Sequence, residues 1–558
     1  MQKIKLEESK KRNIMSKFWQ LITLDKSEIG AIYFYSILNG LVQLSVPIGV
    51  QAIIGFVLGA SMVTSVYVLI FLVVMGVFIV GLLQVNQMKI IEQIQQRIFT
   101  RYAFDFVDKI PKYDLYKADD YNLPEKVNRF FDIINLQKGI SKLLLDIPTA
   151  LIQIFFGLIL LAFYHPFFIA FGLILALLLW LILFVTSKNG LETSLIESTY
   201  KYESVAWMQE IAKCIKPFKL SQDSSLKYII ADRIIVNYLN YRTKHFNVLL
   251  LQYKALVGFK TLITAVLLTI GVYLLLDQQL NIGEFIAAEI IILSVINSVE
   301  KLIKNLDTVY DVLTAIEKIT SVTENYSEKE GALELKSNTI SLELNDFGFT
   351  YPNSISVLKG LNLKVPANSI VCIVGEENSG KSTLLKILST NYTHFTGAFL
   401  LNNVPIQNYN LESIRKKTGF YFNSSEIFSG TVLENVNMGR SEVTPEHIIA
   451  KSEELGFENF LQNLPVGFET PIDFNGNRLP SSTAQKLLLL RTLAHNPNLL
   501  ILEEPWIGLE PSCIAKIKTY LLKKSGNCTT IIASNDEEFA KKCDYRYEIK
   551  NGKLERLN

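Results

Sequence analysis

Gly375-Glu376-Glu377-Asn378-Ser379-Gly380-Lys381-Ser382 decides how this chain is read, because it fits G-x-x-x-x-G-K-[ST]. The apolar run Ile370 to Val374 before it reads as a buried strand, and Thr383 to Ser389 after it carries helix formers. A strand, a glycine turn and the start of a helix, in that order, make a cradle for phosphate. The glycines let backbone N–H groups turn inward, and the helix adds the positive end of its dipole. In such a cradle Lys381 reaches the β- and γ-phosphates of ATP and the Ser382 hydroxyl ligates Mg²⁺. A glycine-rich turn with a surface lysine, the plainer alternative, leaves the flanking strand and helix unexplained.

The 558 residues are enough for two or more domains, and 49% of them are hydrophobic. Mean hydropathy is +0.26. The apolar residues concentrate in the first 310 positions, which separates a membrane half from a soluble half. Crossing hydrocarbon takes about 20 apolar residues. Six stretches qualify: Ile29–Val57, Val63–Leu83, Ile147–Phe163, Pro166–Val185, Ala255–Leu276 and Phe285–Val299. Segments 1–28, 88–146 and 187–254 are dense in Lys and Arg, whereas the three turns between them carry none. The positive-inside rule therefore puts both termini in the cytosol of a multi-pass protein of the cytoplasmic membrane. The first apolar run is too long for a signal-peptide core and lacks a cleavage site, so residues 1–28 read as a lead-in helix.

The two long cytosolic stretches have helical periodicity, each broken near its middle, at Ile110-Pro111-Lys112-Tyr113-Asp114 and at Lys216-Pro217-Phe218-Lys219. Long helices joined by a short crosspiece make a lever toward a cytosolic domain. Polar groups inside the spans are few: Asn39, Gln43 and Gln51 in the first, Gln153 in the third, Glu289 in the sixth. Glu289 is a candidate cavity residue; a carboxylate that snorkels to water from the outer interface accounts for it equally well.

A net charge of +2 is too balanced to point to nucleic acid. The five cysteines form no CxxC pair and read as reduced structural thiols, and the five histidines show no metal-ligand spacing. Residues 306–338 read as a linker, helical at first and polar at Asn325 to Gly331, and Ile340 to Leu344 alternates as a half-buried strand.

With Phe347-Gly348-Phe349-Thr350-Tyr351 ahead of the phosphate loop, the chain resembles an ABC exporter half-transporter. The likeness is nearest to the bacterial protein- and peptide-secretion exporters, on the spacing of spans and linker and on Asn281-Ile282-Gly283-Glu284-Phe285 at the start of span six. It covers nearly all of residues 20–558, without the peptidase domain that some of those exporters carry in front. The fold it implies is an all-α six-helix transmembrane domain (29–305) fused through the linker to an α/β P-loop nucleotide-binding domain (339–558). By resemblance, Tyr351 stacks on adenine. Gly375, Asn378, Gly380, Lys381, Ser382 and Thr383 hold the triphosphate. Glu504, after Leu499-Leu500-Ile501-Leu502, polarises the attacking water.

Other positions depart from the family pattern. Asn423 stands where a glutamine senses Mg²⁺ and water, and Glu503 replaces the aspartate that holds the metal through water. Asn535 replaces the histidine at the γ-phosphate; an amide donates a hydrogen bond but takes no proton. Leu479-Pro480-Ser481-Ser482-Thr483 replaces Leu-Ser-Gly-Gly-Gln, the clamp on ATP held by the opposite cassette; Arg491 keeps that register. Pro480 removes a hydroxyl and an N–H, and Ser481 and Ser482 add side chains where glycine lets the backbone approach.

The resemblance implies a good ATP-binding face and a poor clamp. Three readings follow: a half-transporter paired with a different, intact chain; a slow homodimer; or a non-hydrolysing ATP sensor. Protein or peptide is the cargo the resemblance implies, with lipid or small molecule as the alternative, and a periplasmic adaptor is a further expected partner.

Overall fold

The computed structural model describes residues 14–59, 63–118, 123–221, 225–324, 328, 331–352, 355–422, 426–473, 476, 479–524 and 526–557. The chain divides into two compact units, Met1–Pro111 with Asn122–Asn325, and Lys112–Tyr121 with Tyr326–Asn558.

The first unit is helical. A helix over residues 14–24 leads in. Seven longer ones follow: α1 (Lys26–Gln43), α2 (Ser45–Leu58), α3 (Val63–Lys109), α4 (Asp132–Tyr164), α5 (Phe167–Lys213), α6 (Leu226–Leu276) and α7 (Ile282–Thr323). Among the described residues five stretches are long and apolar enough to cross a membrane: Lys26–Leu58, Thr64–Lys112, Leu123–Tyr164, Leu226–Leu276 and Ile282–Thr323. Phe167–Leu181, within α5, is a shorter apolar stretch. All six expected spans thus lie on these helices.

The first expected span is not one helix. It breaks at Leu44, between α1 and α2, and Pro47 explains the break: it has no N–H for the Gln43 carbonyl one turn earlier. At the other end of the unit, α7 starts where local chemistry tells it to. Asn281 Oδ1 accepts from the Glu284 N–H at 2.8 Å, and Glu284 Oε2 accepts from the Asn281 N–H at 2.9 Å. Helix α4 lies along α7, and glycine permits the approach. A Cβ at Gly157 would sit 2.9 Å from Val295 Cγ2, and one at Gly139 would sit 2.3 Å from Val312 Cγ2.

The second unit is α/β. Its antiparallel sheet runs β2-β1-β4-β5, from β1 (Leu342–Thr350), β2 (Ser356–Val365), β4 (Thr396–Leu401) and β5 (Val404–Pro405). The larger sheet runs β12-β11-β3-β10-β9-β6. It is built from β3 (Ile370–Val374), β6 (Thr418–Tyr421), β9 (Leu499–Glu503), β10 (Thr529–Ala533), β11 (Tyr545–Lys550) and β12 (Lys553–Arg556). A small ribbon pairs β7 (Gly430–Thr431) with β8 (Pro471–Ile472). Strands β3 and β10 are buried at every position, as parallel strands covered on both faces must be. Helix α8 (Lys381–Leu388) follows β3, and α9 (Ser481–Leu493) precedes β9.

The first crosspiece, between α3 and α4 in the chain, belongs to this second unit. A 3₁₀ turn at Ile110–Lys112 leads to a short helix at Leu115–Ala118. Tyr116 stacks on His394 at 4.8 Å between ring centroids, and Asp114 Oδ2 lies 2.7 Å from His394 Nε2. The second crosspiece is the helix Ile215–Leu220.

Candidate functional site

Three strand ends converge. In the parallel run β3-β10-β9, Ala533 pairs with Ile373 on one side and Glu503 on the other. The loops after these strands therefore leave the sheet along one edge, where α/β folds place their ligands.

The loop after β3 turns through Asn378 at φ 61°, a left-handed conformation that asparagine tolerates, and Gly380 at φ 107°. Glycine is required at Gly375 by space: a Cβ there would come within 2.6 Å of the Ile549 carbonyl oxygen. Lys381 opens α8 and folds back over the loop. Its Nζ donates to the carbonyls of Gly375 at 2.5 Å and Glu376 at 2.7 Å. Burial lowers its pKa, while Glu504, Glu503 and Glu377 work in the other direction. The Ser379 hydroxyl is buried with no hydrogen-bond partner among the described residues. A lysine held only by loop carbonyls, beside an orphaned hydroxyl, suits a loop built to take an anion.

The metal position also fits its ligand. Ser382 Oγ donates to Glu503 Oε1, which sets a hydroxyl beside a carboxylate. Mg²⁺ takes such hard oxygens, commonly one or two carboxylates together with phosphates and water. No cluster of three or more His, Cys, Asp or Glu able to hold a metal exists among the described residues. Mg²⁺ here would be held by Ser382 and Glu503.

Glu504 is the strained residue of the site, at φ 42°. A left-handed non-glycine backbone costs on the order of 1–3 kcal/mol and persists only where its surroundings fix it. Its N–H donates to the Ala533 carbonyl at 2.9 Å. Its Oε1 accepts from the Asn535 N–H at 3.0 Å and its Oε2 from Ser534 Oγ at 2.7 Å. The Asn535 side chain turns to the loop, where Oδ1 accepts from the Gly375 N–H at 3.1 Å. Tyr351 is half-buried, its hydroxyl 3.1 Å from Thr383 Oγ1 and its ring edge-on to Phe349 and Tyr392. Asn423 lies outside the described residues.

Leu479 to Thr483 opens α9, with Pro480 at the N-cap position and no side-chain cap. Pro480 and Ser481 are exposed, while Leu479, Ser482 and Thr483 are half-buried. Arg491 further along α9 fixes the helix by donating to Asn435 O at 2.6 Å, Glu426 O at 2.7 Å and Asn435 Oδ1 at 2.8 Å. Glu289 is half-buried on α7, in the first unit.

The structure thus brings Gly375, Lys381, Ser382, Glu503, Glu504 and Asn535 together and leaves the Leu479–Thr483 segment on a separate helix start. Sequence reasoning missed Ser534, whose hydroxyl holds Glu504. Its signal was a polar residue directly after the wholly apolar strand end Ile531-Ile532-Ala533. It also missed Asp114 and His394, which no local pattern connects.

Residues 358–506 match the family described as ABC transporter. The chain is 28% identical over 248 residues to multidrug resistance protein pgp-1 of Caenorhabditis elegans, which covers 44% of this chain and 18% of that protein. It is 27% identical over 297 residues to ABC transporter B family member 29, chloroplastic, of Arabidopsis thaliana, with coverage of 52% and 46%. The matches thus span less than half the length of these curated relatives. Among solved structures, a bacterial Atm1-family ABC exporter with ATP bound superposes with a TM-score of 0.82 at 17% identity, over 95% of this chain and 94% of that one. That likeness establishes the fold.

Proposed function

Residues 358–506 form an ABC transporter ATP-binding domain, and on that footing we propose that the chain is an ATP-hydrolysing half-transporter of the exporter class that moves a protein or peptide out across the cytoplasmic membrane. The observation that carries the reading is one sheet edge holding Lys381, the Ser382–Glu503 pair and Glu504, in a chain with five membrane-length apolar stretches among the described residues. Bound MgATP would meet Lys381 and the loop N–H groups at its phosphates, Ser382 and Glu503 at its metal, and Tyr351 at its base. Glu504, aimed by Ser534 and the Asn535 N–H, would take the water. Asn423 is assigned to the same water and metal. Lead-in segment (1–28, of which 1–13 lie outside the described residues), transmembrane domain (29–305), linker (306–338) and cassette (339–558) are the working parts, with both termini cytosolic. The crosspiece bearing Tyr116, packed on the cassette's own His394, supports transmission between them.

Pro480 favours a partner of a different kind. In this reading the partner's intact clamp closes over ATP on Lys381, while Leu479 to Thr483 makes the weak second site. A periplasmic adaptor completes the export route. A hydrolysis-impaired ATP sensor is the second reading, favoured by the same Pro480. A small-molecule cargo, as the name of the Caenorhabditis relative suggests for that protein, is the alternative to peptide. Mass spectrometry of the complex drawn from native membranes, with ATP turnover measured with and without the partner, tests the pairing. The expected result is a second ABC chain in the complex and turnover that rises with it. Recovery of this chain alone, with full turnover, contradicts the pairing.

A further inference from the structure

A cavity of about 120 Å³ lies among α1, α2, α4 and α7, inside the apolar part of the first unit. Its polar lining is Gln43, Gln153 and Ser294, and among the described residues no charged one lines it. Three features set it apart from ordinary helix packing.

First, the span is broken there. Gln43 ends α1, Ser45 begins α2, and Pro47 cannot return the Gln43 carbonyl's hydrogen bond. Irregular backbone at membrane depth is tolerated where it lines a cavity. Second, a hydrogen-bonded relay of neutral groups crosses three helices. Ser298 Oγ donates to Gln153 Oε1 at 2.7 Å, and Gln153 Nε2 donates to Gln43 Oε1 at 2.5 Å. That leaves the Gln43 amide nitrogen, a donor, without a partner among the described residues. Third, Asn39, four residues before Gln43 and so on the same face of α1, is fully buried with neither amide atom bonded among the described residues. Unmade hydrogen bonds of this kind are expensive in hydrocarbon, where no water replaces them. Close packing around the cavity is enforced rather than loose. A Cβ at Gly40 would sit 2.4 Å from Ile152 Cγ2, and one at Gly157 would sit 2.9 Å from Val295 Cγ2.

We propose that this cavity is a cargo-recognition site that takes an uncharged amide group, a peptide unit with a short apolar side chain, through Gln43, Gln153 and Ser294. The chemistry matches both halves of that ligand. The amide and hydroxyl groups offer donors and acceptors, while Leu44, Val46 and Ile291 offer apolar contact. The volume equals that of about four waters, room for one peptide unit rather than a folded domain. A formal charge is excluded by the lining, since nothing there would compensate it. The proposal rests on the exporter reading and names the part of the cargo that the membrane half recognises.

The test uses the full chain in lipid nanodiscs and tritiated N-acetyl-alaninamide, one capped peptide unit with a methyl side chain, as probe, with MgATP affinity measured in the same samples. The expected result is saturable probe binding, not displaced by zwitterionic alanine. Gln153→Leu weakens it by about tenfold and Ser294→Ala by a few fold, with MgATP affinity unchanged. Equal probe binding in the wild type and both variants overturns the site, as does tighter binding of zwitterionic alanine. Absence of saturable probe binding while MgATP binds normally also overturns it. Loss of MgATP binding in the wild type instead sinks the exporter reading itself.

Discussion

Removing the Lys381 ammonium tests the nucleotide site where its geometry is most specific. In the structure Nζ is satisfied by two carbonyls, Gly375 O and Glu376 O. Nucleotide binding exchanges these neutral acceptors for phosphate oxygens. The ammonium is an ionised donor in both states, so the gain comes from the charge on the phosphate oxygens, taken as about 1–1.5 kcal/mol for each bond. Two bonds exchanged give a net gain of about 2–3 kcal/mol, or roughly 30- to 150-fold in Kd. Lys381→Ala should therefore weaken MgATP by that factor. The fold should survive, because alanine is the better helix former at the start of α8. Lys381→Arg should recover only part of the loss, since a planar fork replaces a point charge. The assay is equilibrium binding of a fluorescent ATP analogue to the full chain with excess Mg²⁺, alongside the melting temperature. An alanine variant that melts as the wild type does and binds within about threefold of it would refute the reasoning.

Ser534→Ala removes one of two donors aiming Glu504, so turnover in the active complex should fall by about tenfold or more with ATP affinity unchanged; single-turnover hydrolysis checks it. Rebuilding the α9 start as Pro480→Ser with Ser481→Gly and Ser482→Gly supplies a cap and lets the backbone approach phosphate. Turnover should rise by about tenfold or more, measured as phosphate release, and no rise would remove the clamp argument. Burial, reinforced by Arg440, pushes the His495 pKa down from 6.5 to about 4. The unfolded chain then takes up a proton that the folded cassette refuses, so stability present above pH 6.5 is lost as pH falls toward 4. His495→Asn should abolish at most about 3 kcal/mol of that acid sensitivity, seen as a flatter melting-temperature profile between those values.

What was legible in the sequence was what is local. The strand Ile370–Val374, the glycine turn and the helix after it are contiguous, so their geometry is written in neighbouring residues. The apolar spans are legible because hydrocarbon thickness sets their length. The break at Leu44 was not, because a stretch as apolar as Ile29–Val57 reads as continuous unless Pro47 is weighed against the carbonyl it leaves unpaired. The bond from Ser534 to Glu504 depends on β9 and β10 being neighbours in register, which pairing across the sheet decides. Asp114 and His394 are 280 residues apart and meet only through the packing of the second unit. The departures at Glu503 and Asn535 were visible as letters. That the Asn535 amide binds the first loop glycine emerged only from the three-dimensional arrangement.

Phosphate release by the complex isolated from native membranes, set against the same chain purified alone, bears most directly on a nucleotide-driven half-transporter with an unequal partner. The account predicts little release from the chain alone, a marked rise with the partner, and loss of that rise in Lys381→Ala. Equal release with and without the partner, unaffected by Lys381→Ala, would contradict it.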